Sequence, residues 1–305
     1  MPIPTSRTQE NAVIHIDESI CNGCGLCVTV CKDFSLTIRN KKASLADGPQ
    51  FGCIACGHCM MVCPRGAITI EGRCASADDL TDVPSKEDAS THQALLALMQ
   101  RRRSMREFKD KPVERELIEK VVEAASTAPM GLPPSDVHVL VLDGKDNVRA
   151  FTEDFCNYLE GMKWFTSNWF LALMRPFWGK QNDRLFRDFV KPCLECYTSF
   201  MKKGENVVTY DAPVALYFYG SAYSDPADPS VAATYAMLTA ESLGLGTCML
   251  GAIHPMIQNG KAAKKFRETH NIRCKSRDGL FVIMGYPAIQ FSRGIKRSFA
   301  AVDGL

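Results

Sequence analysis

Eight of the chain's cysteines fall into two short runs, and their spacing is where chemistry is most legible. Cys21, Cys24, Cys27 and Cys31 lie in CNGCGLCVTVC, and Cys53, Cys56, Cys59 and Cys63 in CIACGHCMMVCP. Each run reads C-x2-C-x2-C-x3-C. That spacing puts three thiolates on one tight loop, where they can bind three corners of an iron–sulfur cube. Glycines lie among the ligands (Gly23, Gly25, Gly52, Gly57) and let the backbone curl. Amides freed by the curl can hydrogen-bond cluster sulfurs and tune the potential. A zinc ribbon pairs two separated C-x2-C hooks and has no use for a third cysteine two residues on. Disulfides need an oxidising compartment, and the leading MPIPTSRTQEN lacks the apolar core of an export signal. Thiolate-bound clusters move electrons singly, so the rest of the chain is expected to receive them.

The paired runs resemble those of bacterial two-cluster ferredoxins, in which each run's fourth cysteine ligates the other cluster. The resemblance implies one [4Fe–4S] cluster on Cys21, Cys24, Cys27 and Cys63, and a second on Cys53, Cys56, Cys59 and Cys31. One departure stands out: Cys63 is followed by Pro64, but Cys31 by Lys32. It leaves the ligand set intact and bears on the local turn and potential of the second cluster.

A second chemical signal is Arg101-Arg102-Arg103-Ser104-Met105-Arg106-Glu107-Phe108. Guanidiniums with a hydroxyl at a helix end suit a phosphate or another compact anion through bidentate bonds. A basic helix end that complements the helix dipole or faces water is the other reading.

The elements that must position these groups follow from periodicity. A chain of 305 residues suits about two domains. A ferredoxin-type domain is expected over 1–75, a polar, acidic linker over 76–90 and a second domain over 91–305. Short strands are expected at 13–16, 35–38 and 67–70. So small a domain buries little apolar surface, and its clusters are staples as well as wires. Beyond the linker, 92–102 and 113–126 have helical periodicity, with Leu117, Ile118, Val121, Val122 and Ala125 on one face. Strands are expected at 137–143, 212–221 and 280–287. Residues 145–203 read as helical and aromatic-rich, with breaks near Arg175-Pro176 and Lys191-Pro192. The stretch 229–244 reads as a buried helix, apolar around its girth, followed by a Gly-rich turn. The fold class is α+β.

Composition narrows the partners. Hydrophobic content of 46% supports a core, and a net charge of +2 argues against nucleic acid or an anionic membrane. No stretch approaches the roughly 20 apolar residues of a membrane span. Cys74, Cys156, Cys193, Cys196, Cys248 and Cys274 are scattered and expected to be reduced. A cytoplasmic, oxygen-sensitive protein is the consistent expectation.

Three later segments join the arginine run: STAPMGLPPSD (126–136), ESLGLGTCMLGA (241–252) and GYPAIQFSRGIKR (285–297). In this order and spacing the four resemble the nitroreductase family of FMN enzymes over about residues 95–305, so the chain looks like a ferredoxin–nitroreductase fusion. The resemblance implies an α+β sandwich that forms a homodimer, with FMN at the interface. It also implies that Arg102, Arg103, Ser104 and Arg106 hold the FMN phosphate, ribityl chain and pyrimidine edge. Pro129, Met130 and Gly131 match the loop that lines the flavin across the interface. Leu250 and Gly251 match the turn near the isoalloxazine N5, and Arg293 and Arg297 the basic tail that completes the phosphate site. Family members carry an Asn and a Gln–Pro pair in the second segment; Gly131 and Pro133-Pro134 stand there instead, leaving contacts to backbone groups.

The function implied is an iron–sulfur flavoprotein oxidoreductase: two [4Fe–4S] clusters feed FMN, which reduces a small conjugated acceptor such as a nitroaromatic, quinone or enone. Ferredoxin or NAD(P)H is the expected donor. No G-x-G-x-x-G follows a strand, so a separate nicotinamide domain is not expected, although NAD(P)H can stack on a flavin. The alternative is an electron-transfer module in which FMN couples NAD(P)H to a ferredoxin-type carrier. Cys193 and Cys196 read as a structural thiol pair. The aromatics Trp164, Phe165, Trp169, Phe170, Phe177 and Trp178 read as packing or as a lid over the flavin. His58 beside a cluster ligand and His254 after the turn are lesser candidates, for solvent access and proton donation.

Overall fold

Tight turns around the two cysteine runs shape the front of the molecule. The computed structural model describes residues 2–304. In chain order come β1 (Val13–Ile16), α1 (Leu26–Val30), β2 (Leu36–Arg39), β3 (Lys42–Leu45), α2 (His58–Met61) and β4 (Ile68–Glu71). Both short helices start after a left-handed glycine, Gly25 (φ 76°) and Gly57 (φ 74°), a conformation that costs a side chain dearly. The two halves therefore share one plan, as the duplicated cysteine run implies. β1 pairs antiparallel with β4, from Val13 opposite Glu71 to Ile16 opposite Ile68. β2 and β3 form a hairpin whose turn residues Asn40 and Lys41 are both left-handed, as a two-residue hairpin requires. β3 was not expected, because KASL carries too little β-branched character to announce itself. The core here is small: Ala12, Leu36, Ala43, Met60, Ile68 and Ile70, with Cys27 and Cys59.

After a short capped turn at Ala77–Asp79, residues 80–90 are exposed throughout. The second part contains α3 (His92–Arg101), α4 (Arg115–Ser126), β5 (Val137–Asp143), α5 (Lys145–Met162), α6 (Asn168–Leu185), α7 (Lys191–Lys202), β6 (Val214–Gly220), α8 (Asp228–Ser242), β7 (Gly246–Leu250), α9 (Ile253–Met256), α10 (Lys261–Thr269) and β8 (Gly279–Gly285). The sheet has order β5-β6-β8-β7, antiparallel throughout. Strand alternation sorts the side chains. Val214, Leu216 and Phe218 face α4 and α8, while Tyr217 and Tyr219 face α5, α9 and α10. Because β6 is covered on both faces, it reads as an unbroken apolar run.

Three expectations are corrected. The Gly-rich stretch after α8 is half strand: Leu243 and the left-handed Gly244 turn as expected, but Gly246–Leu250 form β7, paired with β8 with Gly246 opposite Gly285, before Gly251 and Ala252 turn again. Gly246 could not be larger, since a Cβ there would lie 2.8 Å from the Met105 side chain. The break expected at Arg175-Pro176 falls at Gly179 (φ 78°), with Pro176 accommodated inside α6. Pro192 sits in the first turn of α7, where its missing N–H is harmless. α8 is buried along Ala232, Ala233, Ala236, Met237 and Ala240, but Thr234 and Tyr235 face outward, so one side stays open.

The two parts touch. Ser6 donates its backbone N–H (2.9 Å) and its hydroxyl to the Asp136 carboxylate, and Arg7 donates to the Ser135 carbonyl (3.3 Å). Ser221 also donates to Asp136, at 2.6 Å. Burial opposes ionisation of Asp136, but these hydroxyls and the amide hold its carboxyl below the usual range.

Candidate cofactor sites

The loop after β1 and the start of α1 bring Cys21, Cys24 and Cys27 to one hollow, and Cys63, from the other run, completes its lining. Amides aim at the sulfurs: Ala67 N–H donates to Cys63 Sγ (3.2 Å) and Ala43 N–H to Cys21 Sγ (3.5 Å). The amides of Ala43 and then Gly23 pull the Cys21 thiol below its ordinary pKa. Burial pushes Cys27 the other way, with Cys24, Cys63 and Cys21 as charged neighbours.

The second group is Cys53, Cys56, Cys59 and Cys31. Burial pushes Cys59 up to about 12, and its charged neighbours are the other three. Cys53 is raised by burial, then by Cys56 and Cys31. As four thiolates they would repel one another, and cationic iron held between them would offset that repulsion. The donor chemistry fits a cube at both places.

The arginine run leaves α3 and lies along β7. Ser104 bridges to Thr247, and Met105 N–H donates to the Thr247 carbonyl (2.8 Å). This anchors Met105 in the core and leaves Arg102 and Arg103 half-buried on one side. Burial lowers the Arg102 pKa, and the guanidiniums of Arg297 and Arg103 lower it further, with Glu241 and then Cys248 opposing them. The tail has thus folded back: no Cβ fits at Gly294 beside the Arg103 guanidinium. Arg103 also donates to the Arg102 carbonyl (2.8 Å). Close beside it, the fully buried Thr247 hydroxyl has no hydrogen-bond partner. Crowded cations and an orphaned hydroxyl fit a phosphate.

Other expected residues lie elsewhere. The Arg106 guanidinium lies 5.8 Å from the Tyr210 ring centroid, and Arg293 is exposed. Leu250 and Gly251 close β7 at the end away from Arg102. In the loop Pro129, Met130 and Gly131, Gly131 N–H donates to Asp228 at the first turn of α8 (3.0 Å). Arg101, by contrast, pairs with Glu241 at that helix's last turn (3.5 Å). Thirteen residues of helix separate the two places, about 20 Å, so one chain does not bring the loop to the arginines.

His254 is buried, bonded to the Tyr217 hydroxyl (2.8 Å) and the Arg277 carbonyl (3.2 Å), and burial lowers its pKa. That is a core histidine. His58 is exposed at the start of α2. Cys193 and Cys196 lie on α7, which continues directly from the turn Phe186–Val190 with no strand before it. The aromatics of 164–186 pack on one another, Trp178 stacking on Phe186 at 4.8 Å, while Trp169 and Phe177 stay exposed. Sequence reasoning passed over Thr247 and Arg73. Thr247 lies inside a quoted segment, but its orphaned hydroxyl is a matter of tertiary packing.

The model of the Nitroreductase family matches residues 99–286, and that of a 4Fe-4S dicluster domain matches residues 20–68. Among solved structures, a nitroreductase with bound FMN from Bacteroides fragilis is 15% identical, covers 69% of this chain and 97% of its own, and gives a TM-score of 0.49. A nitroreductase with bound FMN from Desulfitobacterium hafniense is 20% identical, covers 68% and 98%, and gives 0.48. No curated protein matches the chain.

Proposed function

The chain belongs to the nitroreductase family, with a 4Fe-4S dicluster domain ahead of it, and from that premise we propose that electrons pass from two [4Fe–4S] clusters to FMN and on to a small conjugated acceptor. The protein is an iron–sulfur flavoprotein oxidoreductase. Nitroaromatics, quinones and enones are the acceptor class proposed, and a ferredoxin is the proposed donor. The observation that carries the reading is that both halves of the wire are built in one chain: thiol groups of cluster character at the front, and a pocket of guanidiniums at the back.

The boundaries 1–75, 76–90 and 91–305 belong to this proposal, as do the site assignments. Cys21, Cys24, Cys27 and Cys63 ligate one cluster, and Cys53, Cys56, Cys59 and Cys31 the other. Arg102, Arg103 and Arg297 bind the flavin phosphate through charge-assisted bonds, and Arg293 adds a cation at the pocket's rim. Ser104 and Thr247 offer hydroxyls beside it. Arg106, turned toward Tyr210, is assigned the pyrimidine edge. Leu250 and Gly251 offer backbone beside the ring. When bound, the flavin supplies the exchange between single electrons and a hydride. Since Pro129, Met130 and Gly131 lie at the far end of α8, a second copy of the chain is proposed to supply that loop, in a homodimer.

Anaerobic purification with iron, sulfide and flavin quantified per chain tests this. About eight irons and one FMN are expected. Full iron with no flavin would sink the proposal and leave Arg102 to Arg106 a plain basic helix end.

A further inference from the structure

Arg73 is the most deeply buried arginine outside the described sites, and no carboxylate pairs with it. It is 4% exposed and sits in a turn where Gly72, Arg73 and Cys74 are all left-handed (φ 95°, 52° and 57°). Two non-glycine residues in that conformation are strained, and the strain aims the side chain inward. Its guanidinium donates to the Ile3 carbonyl (2.9 Å), the Glu10 carbonyl (2.8 Å) and the Pro133 carbonyl (2.8 Å), while its Nε is buried with no partner. It thus ties together the N-terminal segment, the β4 turn and the loop that begins at Pro129. The ionisable groups nearest it are the thiols of Cys53 and Cys74. A buried cation needs a counter-charge. A thiolate-ligated [4Fe–4S] cluster, which is an anion in both its redox states, provides one at Cys53.

The ribbon of β1 and β4 shows which thiol group lies nearer the second domain. At its Ile16–Ile68 end, Asp17 N–H donates to Ala67 and Cys21 N–H to Asp17, so the hollow of Cys21, Cys24, Cys27 and Cys63 is there. At its Val13–Glu71 end, about 10 Å away, Ala12 N–H donates to the Cys53 carbonyl. From that end the chain runs back through Glu10 and Ser6 to Asp136.

We infer that electrons leave the ferredoxin-type domain through the cluster on Cys31, Cys53, Cys56 and Cys59, and that Arg73 is the positioning residue that couples this cluster to the 133–136 loop of the second domain. The inference rests on the proposed flow from clusters to flavin. Each transfer takes one electron from this cluster, which the other cluster restores from the one-electron donor. Two transfers, with protons from solvent, complete the flavin's two-electron reduction. The buried positive charge favours the reduced, more negative cluster and so raises its potential.

The test is a potentiometric EPR titration of the full-length holoprotein and of Arg73→Gln. The signal of the second cluster is assigned by its change in Cys56→Ser. In Arg73→Gln that cluster becomes harder to reduce by about tenfold or more in equilibrium constant, about 59 mV for one electron, while the other cluster does not move. Hydrogen exchange at Ser135 and Asp136 and within 3–10 quickens together. Potentials that both stay put, or a shift confined to the cluster of Cys24, overturn the inference. Should Arg73→Gln lose iron, Arg73→Lys decides. Lysine keeps the charge but not the planar fork whose two nitrogens reach three separate carbonyls, so the potential should hold while the loop loses protection; a potential that falls with the charge kept overturns the coupling. Failure of the underlying flow looks different. In that case flavin in the wild-type protein stays oxidised when both clusters are reduced, whatever Arg73 does.

Discussion

The two kinds of candidate cofactor site are built on opposite principles. Each thiol group draws three members from one loop of seven residues, and only its fourth, Cys63 or Cys31, crosses from the other run. The arginine pocket draws Arg102 and Arg103 from one segment, Thr247 from β7 and Arg297 from the tail, nearly two hundred residues later. Local sites survive crude folding because their ligands are already neighbours. A dispersed site exists only once the sheet has placed its parts, and here its loop at Gly131 still lies a helix length away.

The sharpest way to break this contrast is at the crossing cysteines. Cys63→Ala and Cys27→Ala should each take iron from about eight per chain to about four and erase the same EPR signal, although the two residues belong to different runs. Loss of different signals would mean that the runs do not interlock. A smaller effect is expected at the dispersed site. Arg102→Ala should weaken flavin binding about ten- to a hundredfold, since a charged hydrogen bond contributes roughly 1.5–3 kcal/mol, with iron unchanged. Equilibrium dialysis reads this, and an unchanged flavin affinity would remove Arg102 from the pocket.

The smallest effect concerns the junction between the two parts. Asp136 has its folded pKa held below the unfolded value of about 3.9, so its contribution is present above that value and fades as pH falls through the folded one. Thermal unfolding should find Asp136→Asn about 1–2 kcal/mol less stable than wild type near neutrality, and the gap should close below about pH 4. A gap that persists at low pH would show that the carboxylate's charge is not what Ser6 and Ser221 recognise.

Legibility followed the same division. β1 and β5 were readable to the residue because alternation or an unbroken apolar run marks a strand. β7 was not, because the turn at Gly244 looked as if it ran on through Gly246, and only pairing with β8 makes Gly246–Leu250 extended. α10 was passed over because KAAKKFRET buries only Ala263, Phe266 and Arg267. Arg73 gave no signal at all, since a lone arginine after a strand is ordinarily solvated.

The sequence by itself determined the thiol chemistry, the two-part organisation and the four segments of the second site, because ligand spacing and backbone periodicity are local properties. The tertiary structure alone decided that Arg297 returns to Arg102, that Thr247 is left with a free hydroxyl, that His254 belongs to the core and that Arg73 joins Cys53 to Pro133. Each of these depends on burial and on partners far away in the chain, and both are set by packing rather than by spacing.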